Sequence, residues 1–139
     1  MAKVNITFKP KQTTKKLLKG LQDRASEVIV NRFGLNDDGE QQTLESIGQK
    51  YGITRERVRQ IENFALNAIK KSDSFGEAEE IFKELKEIIH GLGGIIAEAE
   101  LLPMLSKNKV TQNHIGLYLA LGNDFTEAKE DAHFRKRWI

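Results

Sequence analysis

Cysteine is absent from the 139 residues. That removes disulfides, Cys-based zinc fingers and thiol nucleophiles, and it fits a reducing cytoplasm, the expected location. No apolar run approaches the ~20 residues that a bilayer-spanning helix needs, and no signal peptide opens the chain. The histidines, His90, His114 and His133, stand far apart without Glu-x-x-His or His-x-x-x-His spacing, so no metal site is expected. GLGG at 91–94 lacks the following Lys-Ser/Thr and the preceding strand of a phosphate loop. No repeat of 20–50 residues marks a solenoid. With neither clustered carboxylates nor a nucleophile–base pair, no catalytic residue, cofactor, small-molecule substrate or membrane contact is expected.

What is present describes a mainly helical, all-α chain. A hydrophobic share of 39% and a mean hydropathy of −0.49 suit one ordinary domain or two small helical ones. Residues 1–71 carry 14 Lys/Arg against 8 Asp/Glu, a net of +6, and residues 72–139 carry 8 against 12, a net of −4. A polyanion is drawn to the first half and repelled on average by the second.

The first half holds the decisive stretch, TLESIGQKYGITRERVRQIENFALNAI, from Thr43 to Ile69. Thr43 is a ready N-cap for a helix with Leu44, Ile47 and Tyr51 at helical spacing. Gly52 stops that helix by taking a left-handed conformation at low cost, and Ile53 plugs the space between two helices. Thr54 caps a second helix whose inner stripe is Val58, Ile61, Ala65, Ala68 and Ile69. Gly48 leaves room where the helices cross, and the spacing as a whole is that of a helix-turn-helix. At about 100° per residue, Arg55, Glu56, Arg59, Gln60 and Asn63 share an arc opposite that stripe. Arg grips guanine O6 and N7, Glu accepts from the cytosine amino group, and Gln or Asn pairs with adenine. Arg57 lies at the edge of the arc and suits a phosphate. A charged helix face alone is commonly just solvated; the turn beside it decides for DNA.

The segment LLKGLQDRASEVIVNRFGLNDDGEQQTLESIGQKYGITRERVRQIENFALNAIKK, from Leu17 to Lys71, resembles region four of a housekeeping-type bacterial sigma factor. RFGL followed by TLESIGQKYGITRERVRQIE carries the likeness. The resemblance implies a double-stranded DNA partner, a promoter −35-like element, and docking on the β-subunit flap of RNA polymerase. It places Arg55, Glu56 and Gln60 on bases, with Asn63 joining them from the same arc. Thr43, Lys50, Thr54, Arg57 and Arg59 are expected on phosphates. Asn63 and Phe64 replace the usual small residue and lysine at a spot that activators often use, so no activator contact is carried over. No aromatic-rich segment for capturing a −10 element precedes residue 17, and the chain is not expected to open promoters alone.

Three units are expected: a basic arm over 1–14, the helix-turn-helix domain over 15–72, and an acidic winged-helix-like domain over 76–139. The arm reads as flexible or as one edge strand. A helix is expected from Thr14 to about Asn31, and SDSFG marks the domain boundary. Gly76–His90 reads as an amphipathic helix and Ile95–Ile96 as a very short strand. Around Pro103 a helix either starts near Leu102 or kinks. Thr111 is expected to cap the next helix, and the tail to form a hairpin wing or a strand and short helix. This half resembles the HARE-type helix-turn-helix of the delta subunit of some bacterial RNA polymerases. Its third helix, TQNHIGLYLALGN, lacks Arg and Lys, which favours packing or protein contact over groove reading. Trp138 reads as a core anchor, and Arg135, Lys136 and Arg137 as that half's one basic cluster.

Overall fold

The computed structural model describes residues 6, 8–122, 127–128 and 137–138. Among them are eight helices and three two-residue strands. The first helix, α1 (Pro10–Leu18), begins four residues before Thr14, with Pro10 in the first turn, where its missing N–H costs nothing. Residues 10–14 are therefore helical rather than arm. Phe8 already packs edge-on against Tyr118, with ring centroids 6.0 Å apart. The single helix expected from Thr14 to Asn31 is two: the chain turns over Lys19–Gln22, around Gly20, before α2 (Asp23–Phe33). Glycine is a weak helix former, and the turn lets Thr14 and Leu17 on α1 and Ala25 and Ile29 on α2 all be buried.

Next come α3 (Leu44–Tyr51) and α4 (Arg55–Lys70), the helix-turn-helix. Asp73–Glu77, overlapping the stretch read as a boundary, forms a short helix, α5. Phe75 on it meets Phe82 with ring centroids 5.0 Å apart. The amphipathic helix, α6 (Glu79–Gly91), starts three residues later than expected and buries Ile81, Phe82, Leu85 and Ile89. A strand β1 (Ile96–Ala97) leads into α7 (Glu98–Leu105). This helix runs through Pro103, so the alternative start near Leu102 is overturned. Two turns tolerate the loss of one backbone bond, and Leu101 and Leu105 stay buried on one face. In α8 (Lys109–Leu121) the cap is Asn108, not Thr111: the Asn108 side chain accepts from Thr111 N–H at 3.0 Å. Asn108 lies three residues upstream of Thr111, and the extra turn seats Val110 in the core.

Strands β2 (Glu127–Ala128) and β3 (Arg137–Trp138) complete an antiparallel sheet of order β1-β3-β2, with Trp138 opposite both Ile96 and Glu127. Helix, strand, two helices and two strands in that sheet order form a winged-helix-like arrangement. Trp138 is 3% exposed and its indole N–H donates to Glu98 at 3.2 Å. Arg135, Lys136 and His133 lie outside the described residues, as do Val4 and most of the tail.

One hydrophobic core runs through both halves, joining Leu17, Ala25, Ile29, Ala65 and Ile69 to Phe82, Leu85, Leu101, Ile115 and Leu119. Helix α8 is its axis and touches α1, α2, α4, α6 and α7. The helix that would be the reading helix of a winged helix is thus spent on packing, as its lack of arginine suggests.

Polar side chains fix the joint. Asn113 of α8 donates to the carbonyls of Gly34 and Gly39 at 2.8 and 2.9 Å and accepts from Gln41 at 3.3 Å, holding the loop that feeds α3. Buried Thr14 lies 2.7 Å from His114 Nδ1 and 2.6 Å from the Tyr118 hydroxyl, which donates to the Pro10 carbonyl. With one proton per hydroxyl, the relay closes when Thr14 donates to Tyr118 and neutral His114 donates from Nδ1. Burial pushes the Tyr118 phenol up to about 12. Burial, then the nearby Lys11, lowers the His114 pKa from its usual 6.5. Below pH 6.5 the unfolded chain therefore takes up a proton that the folded protein resists. This contribution is whole above pH 6.5 and is lost as pH falls toward the lower folded value. Thermal melts across pH 5–8 should show that slope in the native protein and a shallower one in His114→Gln. Equal slopes would remove His114 from the joint's pH response.

Candidate nucleic-acid interface

The turn between α3 and α4 is built from local chemistry. Thr43 and Thr54 cap the two helices, accepting from Ser46 N–H at 3.0 Å and Arg57 N–H at 3.1 Å. As acceptors, both hydroxyls keep a proton free to donate outward. Gly52 ends α3 at φ 69°, and the Ile53 N–H returns to the Gly48 carbonyl at 2.9 Å. A Cβ on Gly48 would lie 2.6 Å from the Ile53 carbonyl oxygen, so only glycine lets the crossing close. Val28, Ile47 and Val58, each 0% exposed, form the seed beneath, with Leu44, Tyr51, Ile53 and Ile61 around them.

The α4 stripe is inward as its spacing predicts: Val58, Ala65 and Ile69 are buried, Ile61 and Ala68 half-buried. All nine residues picked out for DNA are exposed: Arg55, Glu56, Gln60 and Asn63, with Thr43, Lys50, Thr54, Arg57 and Arg59. Ala65 and Ile69 on the inner stripe of α4 share a core with the acidic half, and none of its described residues buries this edge. Arg55 to Asn63 spans about 12 Å of helix.

In the free protein these groups engage one another. Arg59 Nε donates to Glu56 at 3.1 Å, with Nη2 on the other oxygen, and Arg57 donates to Gln60 at 3.2 Å. The hydrogen bond from Arg59 holds the Glu56 carboxyl below its usual range, so Glu56 is an acceptor only. Such exposed pairs are readily exchanged for a ligand. Behind them, Arg32 Nε lies 3.6 Å from Glu62, and Nη1 donates to the Gln42 carbonyl at 3.2 Å. Burial raises the Glu62 pKa against the pull of Arg32. Among the described residues, no group of three or more His, Asp or Glu converges as a metal site would.

One cation at this face, Arg24, lies beyond those the sequence singles out. Arg24 of α2 stacks on the Tyr51 ring, its Cζ 4.9 Å from the centroid, and Lys50 Nζ lies 5.6 Å from the same ring. The Tyr51 hydroxyl donates to Glu27, and burial and that bond raise it to about 12. Arg24 also lines a hollow with Arg57, Gln60 and Phe64, and Phe64 is 71% exposed. Spacing along one helix gives no sign of a partner on another.

Fold and surface together define a helix-turn-helix protein whose second helix, α4, presents an exposed polar face. Residues 17–71 match the model of the family described as Sigma-70, region 4, so this segment is similar to that domain. Similar to it are the RNA polymerase principal sigma factor HrdD of Streptomyces viridifaciens, 46% identical over 55 residues, and the RNA polymerase sigma factor SigA of Listeria monocytogenes serovar 1/2a, 47% identical over 60. The matched parts cover 40% and 43% of this chain and 16% of each relative. The match begins inside α1 and ends at the C-cap of α4.

Proposed function

We propose that the chain is a sequence-specific DNA-binding protein that reads a promoter −35-like element and acts with RNA polymerase in transcription initiation, in the cytoplasm. The observation that carries this reading is the exposed arc of Arg55, Glu56, Gln60 and Asn63 on a helix whose other side is core. Arg55 and Gln60 select bases, and Glu56 favours a cytosine. Thr43, Lys50, Thr54, Arg57 and Arg59 hold phosphates, and residues 15–72 form the reading unit. Residues 76–139 serve as its scaffold, clamping the loop before α3 through Asn113. The binding is a non-catalytic act in which no bond is made or broken.

A contact with polymerase belongs to the same proposal. By the resemblance, the helix expected from Thr14 to about Asn31 and the one after it form the groove that grips the flap. Here Ala25, Val28 and Ile29 of α2 are already buried in the chain's own core. The polymerase contact therefore falls on a surface other than those three side chains.

Electrophoretic shift of a TTGACA-containing duplex against a scrambled one, at two salt concentrations, tests the reading. Preference for the first is expected. With ~5 phosphates neutralised on the reading unit, log affinity falls against log salt with a slope near −4 to −5. Negligible retention of either duplex, with polymerase binding unaffected by Arg55→Ala and Gln60→Ala, would make the chain a polymerase-binding module instead.

A further inference from the structure

The first acidic residue of the chain is Asp23, and six lysines precede it. Five of these, Lys9, Lys11, Lys15, Lys16 and Lys19, lie on or beside α1 and are exposed. A lysine gains from the helix dipole only near the C-terminal end, as Lys15 and Lys16 do; at the N-terminal end Lys9 and Lys11 lose by it. Lys11, Lys15 and Lys19 also recur at four-residue spacing, where like charges repel along one face. No acid on this helix offsets them, so the pattern costs stability in the free protein and is relieved by a polyanion.

The fold puts this tract beside the reading helix. Lys15, Lys16 and Lys19 line one hollow with Ser26 of α2. Gly20, Leu21 and Arg24, next along the chain, line another with Arg57, Gln60 and Phe64 of α4. Basic side chains thus line two hollows that meet along the chain at Lys19–Gly20, one holding Arg57 and Arg24 and the other the lysines at the end of α1, and Lys15 and Lys16 precede the family match.

We infer that Lys15, Lys16 and Lys19 form a second clamp on the DNA backbone, gripping phosphates that flank the bases read by α4. The inference rests on the DNA-binding reading and adds a sequence-independent contact to it. The test uses the full chain, its Lys15→Gln/Lys16→Gln/Lys19→Gln variant and the matching triple arginine variant. Each is titrated with a long duplex and with one cut back to the hexamer, from 50 to 200 mM salt. Three phosphate contacts add about 2.7 to the slope, so over that range the native protein should lose about 40-fold more affinity than the glutamine variant. The arginine variant should follow the native protein, and base preference should not change. The difference should vanish on the short duplex. The glutamine variant should melt no lower than the native protein, which separates lost contacts from lost fold.

Equal slopes on the long duplex would overturn the inference. So would equal slopes accompanied by lost polymerase binding, which would assign the tract to an acidic protein surface. A native protein without base preference that still shows the lysine-dependent slope would uphold the clamp while removing the base-reading assignment.

Discussion

Gly48→Val is expected to cost about 3 kcal/mol of stability and to lower the melting temperature by roughly 10 °C. The new Cβ would stand 2.6 Å from the Ile53 carbonyl oxygen, with the Thr54 carbonyl carbon at 3.4 Å and the Arg55 nitrogen at 3.5 Å. All three are backbone atoms of the turn, so no side chain can swing aside. Relief requires α3 and α4 to separate, which opens the contact between Ile47 and Val58 at the centre of the smaller core cluster. Gly48→Ala should move the same way by less. Since the turn carries Thr54 and with it the start of α4, sequence-specific binding should fall along with stability. Melting followed by circular dichroism checks it; a Gly48→Val midpoint within 2 °C of the native one, against the roughly 10 °C expected, would mean that the crossing is not close-packed.

The second large effect is on DNA. Arg55→Ala and Gln60→Ala should each weaken binding to the preferred duplex by about 1–3 kcal/mol and relax preference at one base. The two side chains lie five residues apart on α4 and do not bond each other, so the double variant should approach the sum and fall to the non-specific floor. Both are exposed, so neither change should lower the melting temperature appreciably. Competition titrations against duplexes altered one base pair at a time check the prediction. Uniform weakening across all duplexes would reassign both residues to phosphates.

The helix-turn-helix was legible because everything that specifies it is local. Thr43, Gly48, Gly52, Ile53 and Thr54 act within a dozen residues of one another, and the α4 stripe follows from periodicity alone. The exposed arc came with it, since a helix with one buried face has the other in view. What stayed hidden depends on partners far along the chain. Thr14 meets His114 a hundred residues away, and that contact belongs to an α1 that starts at Pro10 and ends before Gly20. The short helix Asp73–Glu77 exists because Phe75 has Phe82 to pack on, which SDSFG alone does not announce. Asn108 rather than Thr111 caps α8 because both are competent caps and the core decides where the first turn falls. The lysines of α1 had a visible signal, a run of 22 residues without an acid, but their place beside Arg24 and Arg57 comes only from the fold.

Selection of bound duplexes from a random library, with the full chain, goes most directly to whether α4 reads bases. The expected product is a single asymmetric hexamer akin to TTGACA, enriched by the native protein and no longer enriched when Arg55 and Gln60 are alanine. A library that emerges unchanged, or a motif indifferent to those two substitutions, would contradict it.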